Sequence, residues 1–246
     1  MPDASPTTPT TPATPVTDSL DFLASLRGRF LAFEGPDGSG KSTQLTRLVE
    51  ACKAAGLTVC HVREPGGTAV GERIRTILLD RDSEMSLHCE MLLYMASRAQ
   101  LIEERIRPAL AKGEVVIADR FVASTYAYQG SGGGVPTEHI RAVADAAVRG
   151  TWPDLTLIFD VDSATAAKRT SGVEKVGRKK AAAPATASLF ADRIEQRPRD
   201  FHDKVRQGYL DLATREPARH VVIDASKTPE AVWAEVVAKL RGATFV

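Results

Sequence analysis

Cysteine is scarce in this chain: Cys52, Cys60 and Cys89 are the three present in 246 residues, and no two form a CxxC pair. That spacing argues against a zinc site or a disulfide framework and fits a reducing cytoplasm. Aromatic residues are thin at 6%, and no apolar run approaches the roughly 18 residues that a membrane span needs. Neither sign of charge prevails, with 32 Lys and Arg against 31 Asp and Glu for a net +1. No overall field draws the chain to nucleic acid or to an anionic membrane, so any phosphate site has to be local. The opening stretch, MPDASPTTPTTPATPVT, lacks the basic start and apolar centre of a secretory signal. It also has almost nothing to bury, so residues 1–28 are expected to be mostly a disordered tail. With 43% apolar and 26% charged residues overall, the remainder suffices for one sizeable domain over residues 29–246.

From Arg29 onward, short apolar runs alternate with longer helical patterns. Strands are expected at 30–34, 58–62, 115–119, 155–161 and 220–224, each apolar on both faces, as central parallel strands must be when helices cover both sides. Helices are expected at 41–55, 69–79, 85–111, 137–149, 191–215 and 229–240, with Gly56 and Gly113 as C-terminal caps. This alternation predicts a doubly wound α/β domain with ligands at the carboxyl ends of its strands. One segment breaks the rhythm. Residues 171–190, SGVEKVGRKKAAAPATASLF, show no clean period and read as an insertion within a lid spanning 168–200. Cys89 and the histidines His61, His88, His139, His202 and His220 show no partner pattern and are expected to be packing residues.

The apolar run Phe30–Glu34 leads directly into Gly35-Pro-Asp-Gly-Ser-Gly-Lys41-Ser42, a GxxxxGK[ST] motif between a strand and a helix. Glycines let backbone N–H groups turn inward around phosphate oxygens, and the helix that follows adds its positive end. Lys41 supplies a point charge to the β- and γ-phosphates, and the Ser42 hydroxyl is placed for Mg²⁺. The expected ATP contacts are Gly35, Pro36, Asp37, Gly38, Ser39, Gly40, Lys41, Ser42 and Thr43. Such a loop establishes nucleotide binding but no particular reaction.

Three further clusters follow later elements: Arg63-Glu-Pro-Gly-Gly-Thr68 with Arg75 beyond it, Tyr94-Met-Ala-Ser-Arg98, and Asp119-Arg120-Phe-Val-Ala-Ser-Thr-Tyr-Ala-Tyr-Gln129-Gly. Asp119 closes an apolar strand, where a carboxylate either holds Mg²⁺ through water or braces the phosphate loop. Taken with EGPDGSGKST, PDLTLIFDV and DRIEQR, these motifs in this order closely resemble bacterial thymidylate kinase over nearly everything from Arg29.

The resemblance implies a P-loop fold with a five-stranded parallel sheet, a homodimer, and transfer of the γ-phosphoryl of ATP–Mg²⁺ to dTMP. It places Tyr94 against thymine and Arg98 on a thymine carbonyl. It sets Asp37, Arg75 and Arg120 around the dTMP phosphate, where a guanidinium can clamp two oxygens. Ser124, Thr125 and Gln129 match the base and sugar wall, Tyr128 crowds the sugar 2′ position, and Glu64 beside Pro65 lies near the sugar or magnesium. The phosphate loop has no arginine, so the charge that meets the transferring phosphoryl group is expected from the lid. Arg193 is the best match, with Arg169 and Arg178 as alternatives. The catalytic set is then Lys41, Asp37, Arg120 and Arg193, and the metal set Ser42 and Asp119. The partners are ATP and dTMP, with no nucleic acid and no membrane.

Other classes remain open on the residues alone. They are another nucleoside monophosphate or deoxynucleoside kinase, a catalytically silent nucleotide-binding regulator, and a nucleic-acid-dependent ATPase. Tyr94 with Arg98 argues against the first, and intact Lys41, Ser42, Asp119 and Arg120 against the second. The lack of a basic stripe with interleaved aromatics argues against the third.

Overall fold

The computed structural model describes residues 20–80, 82–176 and 197–245. Five strands form one sheet: β1 (Phe30–Glu34), β2 (Val59–Arg63), β3 (Val115–Asp119), β4 (Leu155–Asp160) and β5 (His220–Asp224). Their order is β2-β3-β1-β4-β5, and every pairing is parallel. The central strand β1 is buried along its whole length, as its run of apolar residues requires. The expectation that all five strands are apolar on both faces fails at the edges. In β2, His61 is exposed, and β5 is largely half-buried. An edge strand needs less apolar cover, and its polar residues keep it from pairing with other chains.

Helices pack on both faces. Strand alternation sends Leu31 and Phe33 to the layer that holds Leu45 and Leu48 of α1 (Lys41–Ala54). Phe30 and Ala32 point the other way, into a layer with Met91 and Met95 of α3 (Leu87–Leu101) and Ile140 of α6 (Thr137–Val148). Helix α2 (Ala69–Leu79) precedes α3. After α3 the helix continues through a π-helical stretch, Ile102–Ile106, into α4 (Arg107–Ala111). The chain beyond β3, where no helix was expected, is helical: α5 (Val122–Thr125) runs into a π-helical stretch, Tyr126–Gly132. Helix α7 (Ser163–Val176) was not expected; of the helix expected at 191–215, residues 191–196 lie outside the described residues, and α8 (Arg199–Arg215) occupies the remainder from Arg199. The last helix is α9 (Pro229–Arg241).

The boundary at residue 28 also needs correction. Leu20–Leu26 form a 3-10 helix that buries Leu23 and Leu26 in the α1 layer, so the folded unit takes in apolar residues that the compositional reading had counted with the tail. Residues 1–19 lie outside the described residues. His61, His88, Cys89 and His139 are exposed rather than packed. Among the described residues no helix is long and apolar enough to cross a membrane.

Candidate active site

The phosphate loop begins where β1 ends, and its glycines are required by space as well as by conformation. Gly35 has φ 135° and Gly38 φ 79°. A Cβ on Gly35 would stand 2.6 Å from the carbonyl oxygen of Phe159, and one on Gly38 would stand 2.4 Å from that of Ala166. Only glycine lets the loop lie this close to β4 and α7. At the start of α1, Gly40 occupies the capping position with no side-chain cap, so the helix keeps its positive end for an anion.

Three charged groups meet beside the loop. Asp37 Oδ1 accepts from Lys41 Nζ at 3.4 Å and from Arg120 at 2.8 Å. Burial opposes ionisation of Asp37, but the Arg120 and Lys41 charges outweigh it and hold the carboxyl well below the usual carboxylate range. Arg120 itself has φ 71°, in the left-handed region, a strained backbone of the kind that a functional site maintains. Burial favours its neutral form, yet Tyr128, Asp37, Tyr209 and Glu34 around it push the guanidinium well above its ordinary value.

A narrow cleft opens beside this cluster. It is lined by Asp37, Pro65, Tyr94, Arg120, Ser124, Thr125, Tyr128 and Gln129, which brings together eight of the residues matched above to dTMP. The three others stand behind it. Arg75 is buried and donates to Pro65 O at 2.8 Å; burial and then the Arg63 charge push its guanidinium down to about 10. Arg98 is 1% exposed and is engaged with the protein. It donates to Glu64 Oε2 at 2.8 Å through Nε, to Phe121 O at 3.0 Å and to Thr125 Oγ1 at 3.3 Å. Glu64 is buried as well. Desolvation, eased by Arg98, lifts its carboxyl to about 7, and its Oε1 has no hydrogen-bond partner among the described residues.

A larger cavity of about 460 Å³ lies on the other side of Asp37, lined among others by Pro36, Tyr128, Ala166, Arg197, Arg199 and Arg206. Arg193 and Arg178 fall outside the described residues. Arg169 is described; it donates to Ala225 O at 2.8 Å and approaches Gly38 O at 3.5 Å. Asp119 shares the α1 face of the sheet with Val115 and Ile117 by strand alternation. Its Oδ1 is buried without a hydrogen-bond partner among the described residues. A carboxylate oxygen left open in this way suits a cation or a cation-bound water.

Sequence reasoning missed three buried polar residues around the cleft. Glu34, wholly buried, accepts from Phe121 N at 2.7 Å and Ser124 N at 3.1 Å, and so anchors the turn into α5. An acid closing an apolar strand, the signal that singled out Asp119, would have found it. Glu90 accepts from Gln129 Nε2 at 2.8 Å, and Tyr209 of α8 donates to Glu34 at 3.0 Å. No motif or spacing points to either.

A phosphate loop after a central parallel strand, with a second cleft beside it, defines a P-loop nucleotide-binding protein. A family profile described as Thymidylate kinase matches residues 33–236. The chain is 45% identical over 212 residues to Thymidylate kinase of Caldanaerobacter subterraneus subsp. tengcongensis, covering 86% of this chain and 94% of that one. It is 46% identical over 216 residues to Thymidylate kinase of Solidesulfovibrio magneticus, covering 86% and 99%. The crystal structure of thymidylate kinase from Ehrlichia chaffeensis superposes with a TM-score of 0.65 at 31% identity, covering 86% of this chain and 98% of that one. The chain belongs to the thymidylate kinase family.

Proposed function

We propose that this enzyme transfers the γ-phosphoryl group of ATP to dTMP, giving ADP and dTDP. The observation that carries the reading is the cleft that joins Tyr94, Thr125 and Gln129 at one end to Arg120 and Asp37 at the other, beside a phosphate loop bearing Lys41. An aromatic face and polar side chains suit a pyrimidine, and the paired cations suit phosphates. An oxygen of the dTMP phosphate attacks the γ-phosphorus, the bond from that phosphorus to the β–γ bridging oxygen breaks, and ADP leaves with the electron pair. The attacking oxygen is already anionic, so the residues act by alignment and charge neutralisation more than by taking a proton. Lys41 neutralises the donor phosphates and Arg120 the acceptor, while Asp37 holds both cations in register. Mg²⁺ would be held by the Ser42 hydroxyl and, through water, by Asp119, and would supply charge neutralisation of the β- and γ-phosphates.

We also infer a homodimer. Val70 and Ile77 of α2 and Leu92 of α3 stay 49%, 47% and 51% exposed, a patch on neighbouring helices that a second copy would cover. The three thiols are free, which suits a cytoplasmic location.

The test is ADP release from ATP–Mg²⁺ with dTMP, dUMP, dCMP, dGMP or no acceptor. Strong turnover with dTMP, weaker with dUMP and none with dCMP, dGMP or no acceptor is expected. Release without any acceptor, or a preference for dGMP, refutes the reading.

A further inference from the structure

Glu34 is buried and Arg120 half-buried, and the two are opposite in charge, yet the described contacts of Glu34 reach Arg120 only through two hydroxyls. Ser124 Oγ lies 2.6 Å from Glu34 Oε2 and accepts from Arg120 at 3.1 Å. The Tyr209 hydroxyl lies 3.0 Å from the same carboxylate oxygen and accepts from Arg120 at 3.3 Å. The two hydroxyls are 2.9 Å apart. They form a spacer: one nitrogen of the guanidinium is satisfied by the hydroxyl pair, and the other is left to bond Asp37 at 2.8 Å. Tyr209 is 1% exposed, and its ring meets that of Tyr128 edge-on at 6.3 Å, so its hydroxyl cannot swing elsewhere.

We propose that Tyr209 is a positioning residue for phosphoryl transfer, its hydroxyl holding Arg120 out toward the acceptor phosphate and away from Glu34. The inference rests on the reading of the cleft as the dTMP site. Without the hydroxyl, the guanidinium loses an acceptor on one side and Glu34 loses a donor. Both losses are relieved by the same movement, the approach of Arg120 to Glu34. Arg120 then withdraws from Asp37 and from the phosphate it would clamp. Since Tyr209 lies on α8 and Arg120 at the end of β3, this contact also ties α8 to the acceptor site.

The experiment is a kinetic double-mutant cycle with Tyr209→Phe and Arg120→Ala in the full chain, reading kcat and KM for dTMP and for ATP well below the melting temperature. With Arg120 present, Tyr209→Phe should lower kcat/KM for dTMP about tenfold, the scale expected of a misplaced clamp, with KM for ATP within about twofold. With Arg120 already removed, the same substitution should change kcat/KM by less than about twofold, because its effect passes through Arg120. Glu34→Gln, which keeps the shape but removes the charge that would draw Arg120 back, serves as a second background, in which Tyr209→Phe should likewise lose most of its effect on kcat/KM for dTMP. An equal fractional loss with and without Arg120, or no loss with Arg120 present, overturns the proposal. Failure of the unaltered enzyme to transfer to dTMP would instead refute the underlying reading.

Discussion

Replacing Arg98 with methionine tests whether the wall behind the cleft is an electrostatic structure or only packing. Arg98 and Glu64 are buried together, 2.6 Å apart at their closest. Methionine keeps much of the volume but strands Glu64 and leaves Phe121 O and Thr125 without their donor. Breaking a buried pair from one side costs about 3–5 kcal/mol, or a melting temperature lower by roughly 6–20 °C in a chain of this size. The cost should depend on pH. Burial raises Glu64 from 4.5 to about 7, so its neutral form favours folding below 4.5 and that contribution is lost as pH rises through 7; the difference amounts to about 3 kcal/mol. Arg98 is the group that keeps this rise in check. Without it the carboxyl titrates above 7, so at pH 8 the variant carries an extra penalty of at most about 1 kcal/mol that is absent at pH 5. Urea melts of both proteins at pH 5, 6.5 and 8 measure this directly. Adding Glu64→Gln to Arg98→Met should recover most of the loss, since removing both members of a buried pair is far milder than removing one. A cost below about 1 kcal/mol at pH 8, or one that is the same at pH 5 and pH 8, would refute the reasoning.

Three other outcomes follow from the same geometry. Lys41→Met should lower kcat by about 10²–10³-fold, the usual loss for an electrostatic group aimed at the transition state, while the melting temperature moves little; steady-state rates and calorimetry check both halves. Gly38→Ala should destabilise the fold by about 2 kcal/mol or more, because a left-handed backbone and a Cβ 2.4 Å from Ala166 O demand movement of α7, and a denaturant melt reads the loss. Ile77→Asp with Leu92→Asp should convert the proposed dimer to a monomer by sedimentation, because two charges in its apolar interface would have to be desolvated without partners.

Much of the fold was legible because burial leaves a local trace. β1 and β3 match their expected bounds, since a strand covered on both faces must be an unbroken apolar run. The segment after β3 was not legible as helix. Its Gly130 and Gly132 weaken the helical pattern, and its π-helical stretch departs from the 3.6-residue period. Edge strands were overrated for the opposite reason: β2 reads as apolar, but a neighbour is missing on one side. Among site residues, those in compact motifs could be found from sequence, because backbone turns and guanidinium clamps need particular residue types at fixed spacing. Glu90 and Tyr209 could not. Gln129 lies 39 residues from Glu90, and Tyr209 lies 175 from Glu34. Such partners are chosen by the packing of α3 and α8 against the cleft, which no spacing records.

The two clefts share Asp37 and Tyr128 in their walls, and this bears on why an acid stands between two cations in a site meant for phosphates. Lys41 and Arg120 alone would repel one another in the absence of substrate and would turn toward other anions, Glu34 among them. Asp37 prevents this. It stays ionised throughout the neutral range because the Arg120 and Lys41 charges hold its carboxyl below its usual 3.8, so its pairings are present above that pH and weaken only in acid. Its side chain is also 44% exposed, which keeps the bonds weak enough for a phosphate dianion to compete for the same donors. In the proposed reaction an entering phosphate would therefore meet cations already aimed and spaced, the ordering cost having been met in folding rather than at the moment of transfer.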